Sequence, residues 1–464
     1  MQLTGKTNPT KQHNAIGLMG TRPWAKAIPH QFVIATHAPG SGQQTLEPEP
    51  MSLVGLQEVT IQIEQQTEKH ENDKDKQCLE DLCATGPFVD KDDIEAKKGG
   101  LLNGSYQWVL EHKSFQQFQK EEESQVLWVR GDTGKGKTML LCGIIEELRA
   151  DPSVSLSYFF FQATDGDRLN TATPALRGLI YHLASCNPQL IKHIREKYDA
   201  KGKTVFNDEN AWHNLCDIMT AMLNDPSLKN AILVIDALDE CGVGRQHLLD
   251  FISKPSPAKW IVSSHDLPDV KESLYGPEQK SKIHLELDQA SVSAAIESYV
   301  EYRVDQLSEN KNYDPKMKTA ILEVMKENSH GTFLWAALVC QELSVESVRR
   351  RHSLSILSSY PTGLDSLYKY ILEQLYKTDD AQLCKDILDL VLAAPHPVPF
   401  KELCTVVTIL RDLEREEVEE IISSCGSLLV LHHDAVSYVH QSARDYFLNK
   451  APSEIPPLQI TDDY

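Results

Sequence analysis

The segment from Gly131 to Thr138 constrains this chain most, because it matches the pattern G-x-x-x-x-G-K-[ST]. An apolar run, Val126–Arg130, predicts a strand just before it, and apolar periodicity predicts a helix over 138–150. A glycine-rich turn between a strand and a helix is the setting in which this pattern forms a phosphate-binding loop. The sequence therefore predicts an α/β fold of the P-loop NTPase class.

The residues of this loop have distinct predicted roles. Glycine has no Cβ, so the backbone can wrap closely around phosphates, and the loop N–H groups and the helix N-terminus form an anion site. Lys137 is expected to reach the β- and γ-phosphates, and the Thr138 hydroxyl is expected to bind Mg²⁺. The predicted cofactor contacts are Gly131, Asp132, Thr133, Gly134, Lys135, Gly136, Lys137 and Thr138.

A second acidic motif follows about 100 residues downstream, where an apolar strand ends at Asp236. A carboxylate at this position can hold Mg²⁺ through water beside the phosphate loop. Asp239 and Glu240 follow, and either is a candidate catalytic residue that orients or deprotonates the attacking water. Ser264 ends the next predicted strand, where a γ-phosphate sensor would lie. The plainer alternatives are solvated acids at a strand edge and a serine that begins a turn.

The rest of the chain divides by its periodicity. Strands predicted at 126–130, 154–161, 231–236, 260–264 and 283–287 alternate with helical patterns, which favours a parallel sheet covered by helices on both faces. Beyond 290 the pattern is helical, and after a proline-rich stretch it becomes helix–helix–strand–strand. The predicted domains are a disordered leader 1–50, a helical linker 51–100, a P-loop domain 101–290, a helical domain 291–394, a winged-helix domain 395–450 and a tail 451–464.

Charge and composition exclude several classes of protein. The net charge is −21, from 46 basic and 67 acidic residues, so that binding to nucleic acid or to an anionic membrane surface is disfavoured. No apolar run approaches the roughly 20 residues needed to span a bilayer. The 10 cysteines form no C-x-x-C pair, which is typical of buried thiols in a reducing compartment. We therefore expect a cytoplasmic protein.

These motifs and several flanking segments resemble fungal NACHT-domain proteins. This family belongs to the STAND group of signalling NTPases and is similar to NOD-like receptors linked to vegetative incompatibility. The resemblance covers about four-fifths of the chain. It rests on Gly99–Leu102, Leu127–Ile145, Ile235–Cys241, Gly331–Ala336, Leu364–Tyr368 and Tyr438–Phe447.

The resemblance implies further roles. His440 would touch the β-phosphate of ADP and hold a closed resting state, whereas a lone histidine after an apolar strand is otherwise a structural residue. The segment Gly99–Leu102 would lie near the adenine. The family usually has arginine where this chain has His265, and a neutral imidazole cannot replace a permanently charged guanidinium. Within residues 291–464 we find no repeat pattern of the kind that senses ligands in many family members.

The leading hypothesis is a nucleotide-dependent switch that binds ATP or ADP with Mg²⁺ and hydrolyses ATP slowly. Its expected partners are like chains, in a nucleotide-dependent homo-oligomer, and an unknown effector protein. One alternative is a scaffold that binds nucleotide without hydrolysing it. A small-molecule kinase is the other, but the predicted helical and winged-helix segments argue against it.

Overall fold

The computed structural model describes residues 53–83, 87–98, 100–102, 105–121, 125–163, 169–275, 282–287, 289–329, 331–345, 348–378, 380–432 and 434–450. The predicted leader 1–50 and tail 451–464 lie outside these residues. The chain divides into two compact units, Met1–Glu64 and Gln65–Tyr464. In the first unit the described residues are helical; all contacts described below lie in the second. No described helix has both the length and the hydropathy to cross a bilayer.

Helices precede the sheet. Their bounds are α1 Leu53–Leu82, α2 Pro87–Lys97, α3 Gln107–Glu111 and α4 Lys113–Lys120. The sequence is ambiguous between helix and strand over 51–76, and the structure has a helix there. The stretch is rich in Glu, Lys and Gln, which favour a helix and disfavour a strand.

Five strands of the described chain form a parallel sheet in the order β2-β3-β4-β1-β5. The strands are β1 Val126–Arg130, β2 Ser155–Phe160, β3 Ala231–Asp236, β4 Lys259–Ser264 and β5 Lys282–Glu286. Every residue of β3 is buried, as expected for a central strand covered on both faces. Since β4 lies between β1 and β3, its carboxyl end separates the phosphate loop from Asp236.

Helices cover both faces of this sheet, and they are α5 Lys137–Arg149, α6 Ala172–Cys186, α7 Ile191–Lys201, α8 Ala211–Leu223, α9 Arg245–Ile252 and α10 Pro268–Tyr275. Alternate residues of each strand point to opposite faces. Leu127 and Val234 therefore enter one core with α5, while Trp128 and Leu233 enter another with α6, α8 and α9. Burying one such aliphatic side chain contributes roughly 1.5–3 kcal/mol.

The chain continues as helices α11 Gln289–Lys311, α12 Pro315–Asn328, α13 Phe333–Ser344, α14 Ser353–Leu357, α15 Leu364–Leu375 and α16 Ala381–Ala393. Local signals fix some of the ends. Asp314 precedes α12, its carboxylate accepts a hydrogen bond from the Met317 N–H, and Pro315 occupies the first turn. The apolar stripe of α15 is buried as its periodicity predicts.

The last described elements are β6 Val398–Pro399, α17 Phe400–Val406, α18 Arg415–Ser424, β7 Leu429–His432, β8 Ala435–Tyr438 and α19 Gln441–Asn449. The three strands pair antiparallel in the order β6-β8-β7. The sequence pattern predicts that the first helix after the proline-rich stretch spans 400–410. This prediction is wrong, because α17 ends at Val406 and a 3-10 turn follows over Thr408–Asp412. The β-branched run at 405–409 weakens the helix there. The winged-helix assignment and the domain boundaries stay predictions.

The two cores differ in extent. The shared core contains Leu127 and Val234 from the sheet and continues through α11, α13 and α15 as far as Phe447 of α19. The separate core contains Trp128, Leu233 and the apolar sides of α6 and α8. It also includes residues of α1 and α10, and within the described chain it includes no residue of a later helix. The later helices are therefore packed against the sheet through one face only.

Candidate nucleotide-binding site

The loop between β1 and α5 has the backbone conformation that the sequence pattern predicts. Gly134 and Gly136 have φ values of +76° and +81°, which disfavour any side chain with a Cβ. A Cβ on Gly131 would lie 2.9 Å from the Cβ of Leu287. Helix α5 begins at Lys137 directly after Gly136, so its unpaired N–H groups face the loop. The loop can surround a phosphate with backbone donors.

Lys137 lies inside this loop. Its ammonium donates hydrogen bonds to the carbonyl oxygens of Gly131, at 2.7 Å, and Asp132, at 3.1 Å. Burial lowers the pKa of Lys137, while the charges of Asp239, Asp236 and Glu240 oppose that effect. Phosphate oxygens are better acceptors for an ammonium than carbonyl oxygens, so a nucleotide can replace these contacts.

Asp236 ends β3 and is buried, 2% exposed. Its carboxylate accepts hydrogen bonds from the hydroxyls of Ser263 and Thr138. Burial raises its pKa, whereas these hydrogen bonds and the charges of Lys98 and Lys137 lower it. A carboxylate beside a hydroxyl is an oxygen donor set that suits Mg²⁺ when phosphates and water complete the shell. In the described part of the chain, no group of three or more His, Cys, Asp or Glu could hold a metal.

Asp239 and Glu240 lie on a 3-10 turn that begins after Ala237, whose φ is +51°. One Glu240 oxygen accepts a hydrogen bond from the Ala163 N–H at 2.8 Å. Burial raises the pKa of Glu240 to about 7, and the charges of Asp239 and Asp236 add to the rise. A carboxylate that titrates near neutrality is suited to accept a proton from water.

The end of β4 corrects one sequence interpretation. Ser264 is fully buried, and its hydroxyl accepts a hydrogen bond from the Trp128 indole N–H at 2.8 Å and donates one to the His265 carbonyl. Ser264 is thus not on the wall of the candidate cavity, which its neighbour His265 lines instead. Side chains alternate along a strand, so Ser263 points to the Asp236 side and Ser264 away from it.

His265 bridges the loop and the acidic turn. Its Nε2 lies 3.2 Å from the Thr133 hydroxyl, and its backbone N–H donates to Asp239 at 3.1 Å. Burial lowers the pKa of His265, and the charge of Lys137 adds to the effect, although Asp239 opposes it. The imidazole is therefore expected to be neutral at neutral pH, unlike the family's arginine.

His440 enters the same cavity from the far end of the chain. It is the N-cap of α19, and its Nδ1 accepts a hydrogen bond from the Ser442 N–H at 3.1 Å. Burial lowers its pKa well below the ordinary value, and the charges of Lys98 and Lys137 lower it further. In the neutral ring the proton is then on Nε2, which can donate a hydrogen bond to an anion.

The start of α13 covers the outer side of the phosphate loop, a contact that sequence reasoning missed. The Phe333 N–H donates to the Gly134 carbonyl at 2.9 Å, and the Lys135 ammonium donates to the Gly331 carbonyl at 2.9 Å. A Cβ on Gly136 would lie 2.9 Å from the Phe333 ring. The segment Gly331–Ala336 is recognisable in sequence as a family motif, but periodicity alone cannot show which loop it packs against.

Apart from Gly131, Asp132 and Ser264, the predicted site residues border one cavity of about 430 Å³. Its walls also include Gly100 and Leu102, from the segment expected near the adenine, whereas Gly99 lies outside the described residues. Of the predicted site residues, the cavity lining contains Thr133, Gly134, Lys135, Gly136, Lys137, Thr138, Asp236, Asp239, Glu240 and His440. Lys98, Trp108, Tyr299 and Arg303 are further wall residues that the sequence did not single out.

The parallel sheet, the glycine loop after β1 and the buried carboxylate after β3 define a P-loop NTPase fold. Residues 104–265 match the family model described as nephrocystin 3, N-terminal. The chain is also 46% identical over 385 residues to the vegetative incompatibility protein HET-E-1 of Podospora anserina, covering 82% of this chain. The chain is a fungal NACHT-type protein. It spans 28% of the length of that relative.

Solved structures give more distant likenesses. A Walker-type ATPase of Pyrococcus abyssi aligns with 74% of this chain and 94% of its own, with 12% identity and a TM-score of 0.34. Cdc6p of Pyrobaculum aerophilum aligns with 75% of this chain and 93% of its own, with 11% identity and a TM-score of 0.33. The fold described above rests on the strand order and contacts of this chain.

Proposed function

We propose that this chain is a nucleotide-dependent signalling switch of the NOD-like receptor type, in which ADP with Mg²⁺ holds a closed state and ATP releases it. The single observation that carries the proposal is that one cavity joins the phosphate loop, the Asp236 turn, the start of α13 and His440. A ligand in that cavity contacts parts of the chain that lie far apart in sequence. Its phosphates can therefore control how these parts pack together.

The proposed clamp is the contact between His440 and the β-phosphate. The imidazole is neutral, its Nδ1 is occupied by the Ser442 N–H, and its Nε2 is left to donate. A second link runs from the Ser442 hydroxyl to the Tyr368 hydroxyl at 2.8 Å, so the clamp is connected to α15. A nucleotide shifts this equilibrium only if its affinity for the closed and open states differs. Release of the clamp would permit assembly with like chains and an effector protein, as incompatibility signalling requires.

Slow hydrolysis fits the acidic turn. Both candidate bases line the cavity, and each accepts one backbone hydrogen bond, Glu240 from Ala163 and Asp239 from His265. Glu240 is the better candidate because burial raises its pKa to about 7. Once bound, Mg²⁺ would neutralise phosphate charge beside Thr138 and Asp236. Because the neutral His265 stands where the family usually has arginine, transition-state charge is less stabilised at that position, and we expect slow turnover.

The first test has two parts. One identifies the nucleotide that stays bound to the wild-type protein through purification, and the other measures nucleotide affinity in Lys137→Ala. We expect ADP in the wild-type protein. The variant should lose about a hundredfold or more in ADP and ATP affinity, because the charge-assisted contacts disappear. Isothermal titration calorimetry measures the affinities for ADP and ATP. The control is Lys113→Ala, which replaces an exposed lysine outside the cavity lining. Unchanged ATP affinity in Lys137→Ala would refute the site.

The second test addresses the clamp. His440→Ala should release ADP roughly ten to a hundred times faster, because one hydrogen bond to an anion contributes roughly 1.5–3 kcal/mol. It should also shift the protein towards oligomers in size-exclusion chromatography with light scattering. His396→Ala removes an exposed histidine and is the matched control. A variant that stays monomeric and retains ADP normally contradicts the clamp.

The nucleotide-binding scaffold without hydrolysis is the second candidate function, and the neutral His265 favours it. Phosphate release from Mg·ATP over several hours separates the two. Turnover that disappears in Glu240→Gln supports the switch that resets itself. Tight ATP binding without any phosphate release supports the scaffold.

A further inference from the structure

A lysine outside the P-loop motif also borders the cavity. Lys98 follows the last residue of α2 and lines the same walls as Lys137, Asp236 and His440. The pattern that identifies the P-loop does not include this position. Its place in the fold is nevertheless well determined, as the contacts of α2 show.

Helix α2 is fixed to α5, the helix that carries the phosphate loop. Lys91 is 1% exposed, and its ammonium pairs with Glu146 of α5 at 2.7 Å and also with Glu95 of its own helix. Ile94 is buried in the shared core. The helix therefore has both a polar and an apolar anchor on α5, and a buried, paired lysine resists displacement.

The chain leaves α2 in a turn that places Lys98 at the cavity. The Lys98 N–H donates to the Ile94 carbonyl at 3.1 Å, and the Gly100 N–H donates to the Glu95 carbonyl at 2.8 Å. Gly100 has a φ of +84°, a conformation that glycine adopts readily at a helix end. These bonds fix the backbone on both sides of Lys98, while its side chain remains exposed.

The partners of the cavity lysines differ. Lys135 donates to the Gly331 carbonyl, and Lys137 donates to the carbonyls of Gly131 and Asp132. The Lys98 ammonium makes neither a hydrogen bond nor an ion pair with any residue of the described chain. Its charge nevertheless acts on the site. It lowers the pKa of Asp236, which burial raises, and it lowers the pKa of His440 in the same direction as burial does.

We propose that Lys98 is a second phosphate-binding lysine whose ammonium contacts the β- or γ-phosphate of the bound nucleotide from the α2 wall of the cavity. This inference rests on the proposed nucleotide site. A triphosphate beside three carboxylates carries more negative charge than one Mg²⁺, Lys137, Lys135 and Arg303 neutralise together, and uncompensated charge in a partly buried site is unfavourable. Lys98 supplies a further positive charge.

The test compares Lys98→Ala with Lys98→Gln, Lys98→Arg and the surface control Lys113→Ala. Isothermal titration calorimetry gives the affinities for Mg·ATP, Mg·ADP and adenosine. The two variants without charge should bind Mg·ATP roughly ten- to a hundredfold more weakly, the range of a charge-assisted hydrogen bond. Lys98→Arg should retain binding within about fivefold, and adenosine affinity should not change, because the lost contact is to phosphate.

Two results overturn the inference. One is wild-type Mg·ATP and Mg·ADP affinity in Lys98→Gln while Lys137→Ala has lost binding. The other is an equal loss of adenosine and Mg·ATP affinity, which would assign Lys98 a structural role. Urea unfolding midpoints show whether each variant is folded. With both Lys98→Ala and Lys98→Gln available, the test still works if one of the two does not fold. Wild-type binding by Lys137→Ala would instead refute the nucleotide site itself.

Discussion

The two faces of the parallel sheet are built from alternating residues of the same strands, yet they serve different purposes. The separate core, on the face of Trp128 and Leu233, is enclosed by α6, α8 and α9. The shared core, on the face of Leu127 and Val234, continues into the helices after the sheet as far as α19. Among the described residues, the buried apolar side chains that line the cavity, such as Leu140, Leu287 and Val292, belong to the shared core.

Under the proposed function, this difference attaches a switch to a rigid scaffold. Close-packed cores tolerate two discrete arrangements better than gradual deformation. In the described chain the separate core reaches the cavity wall only through the partly buried Ala237, so it can keep the strands, and hence Asp236 and the phosphate loop, in place. The shared core connects the nucleotide to α13, α15 and α19. A change of nucleotide is therefore expected to act on the shared core and to leave the separate core unaltered.

The largest expected effect tests whether the separate core has a purely structural role. Leu233→Ala removes a fully buried side chain from the middle of β3, and we expect the free energy of unfolding to fall by about 2–5 kcal/mol. Urea denaturation measures it. ADP affinity, measured where the variant is folded, should change less than about threefold. The exposed Lys229→Ala should stay within about 0.5 kcal/mol of wild type. A large loss of affinity in folded Leu233→Ala would break the comparison between the two cores.

An intermediate effect tests the connection between the phosphate loop and α13. Gly136→Ala forces a Cβ into a left-handed backbone, at a cost of about 1–2 kcal/mol, and towards the Phe333 ring 2.9 Å away. Both stability and ADP affinity should fall, as measured by urea denaturation and calorimetry. Gly202→Ala is a control for backbone strain alone, since Gly202 also has a positive φ, with a ψ of −154° that glycine almost alone adopts, but has no atom within 4 Å of its Cβ position. It should lose stability and keep ADP affinity.

Phe333→Leu sharpens this result. If the ring contact contributes to the loss, the smaller side chain in Gly136→Ala/Phe333→Leu should recover part of the stability lost in Gly136→Ala. No recovery would assign the whole effect to backbone strain.

The smallest expected effect concerns acid. His182 of α6 is buried, and burial lowers its pKa to about 3, with the charge of Arg149 adding to the effect. Its Nδ1 accepts a hydrogen bond from the Tyr158 N–H at 3.3 Å. The unfolded chain takes up a proton near the ordinary value of 6.5, while the folded chain does not. Stability is therefore fully present above that value and is lost as the pH falls from it towards 3.

Between pH 7 and 5.5 we expect His182 to account for a loss of roughly 1 kcal/mol in the free energy of unfolding. His182→Gln should be less stable at pH 7 and should lack this part of the pH dependence. Urea denaturation at several pH values gives the difference between the two proteins. Parallel curves for variant and wild type would show that His182 contributes nothing to it.

Much of the sheet could be predicted because its signals are local. The strands β1 and β3 have the bounds that the sequence predicts, since each apolar run ends at residues that strongly favour a loop. The parallel sheet is confirmed as well. The two-residue strand β6 was not predicted, because Val398–Pro399 has no alternation to detect and proline disfavours a ladder. Its pairing with β8 is a tertiary contact.

The candidate site divides in the same way. The glycines of the loop, Lys137 and Asp236 follow from sequence spacing, because the chemistry of phosphate and Mg²⁺ requires those residue types there. The orientation of Ser264 did not follow from the sequence, because a shift of one residue along a strand reverses the side that a side chain faces. Lys98 and Phe333 were missed, because each reaches the cavity through the packing of a separate helix.

By itself, the sequence determined the phosphate loop, the strand that ends at Asp236 and the helical character of the chain beyond the sheet. These features depend on neighbours a few residues apart, through backbone preference and periodicity. Only the tertiary structure decided that His265, His440, Phe333 and Lys98 border one cavity. Which distant residues meet is determined by how the shared core packs, and no local pattern records that packing.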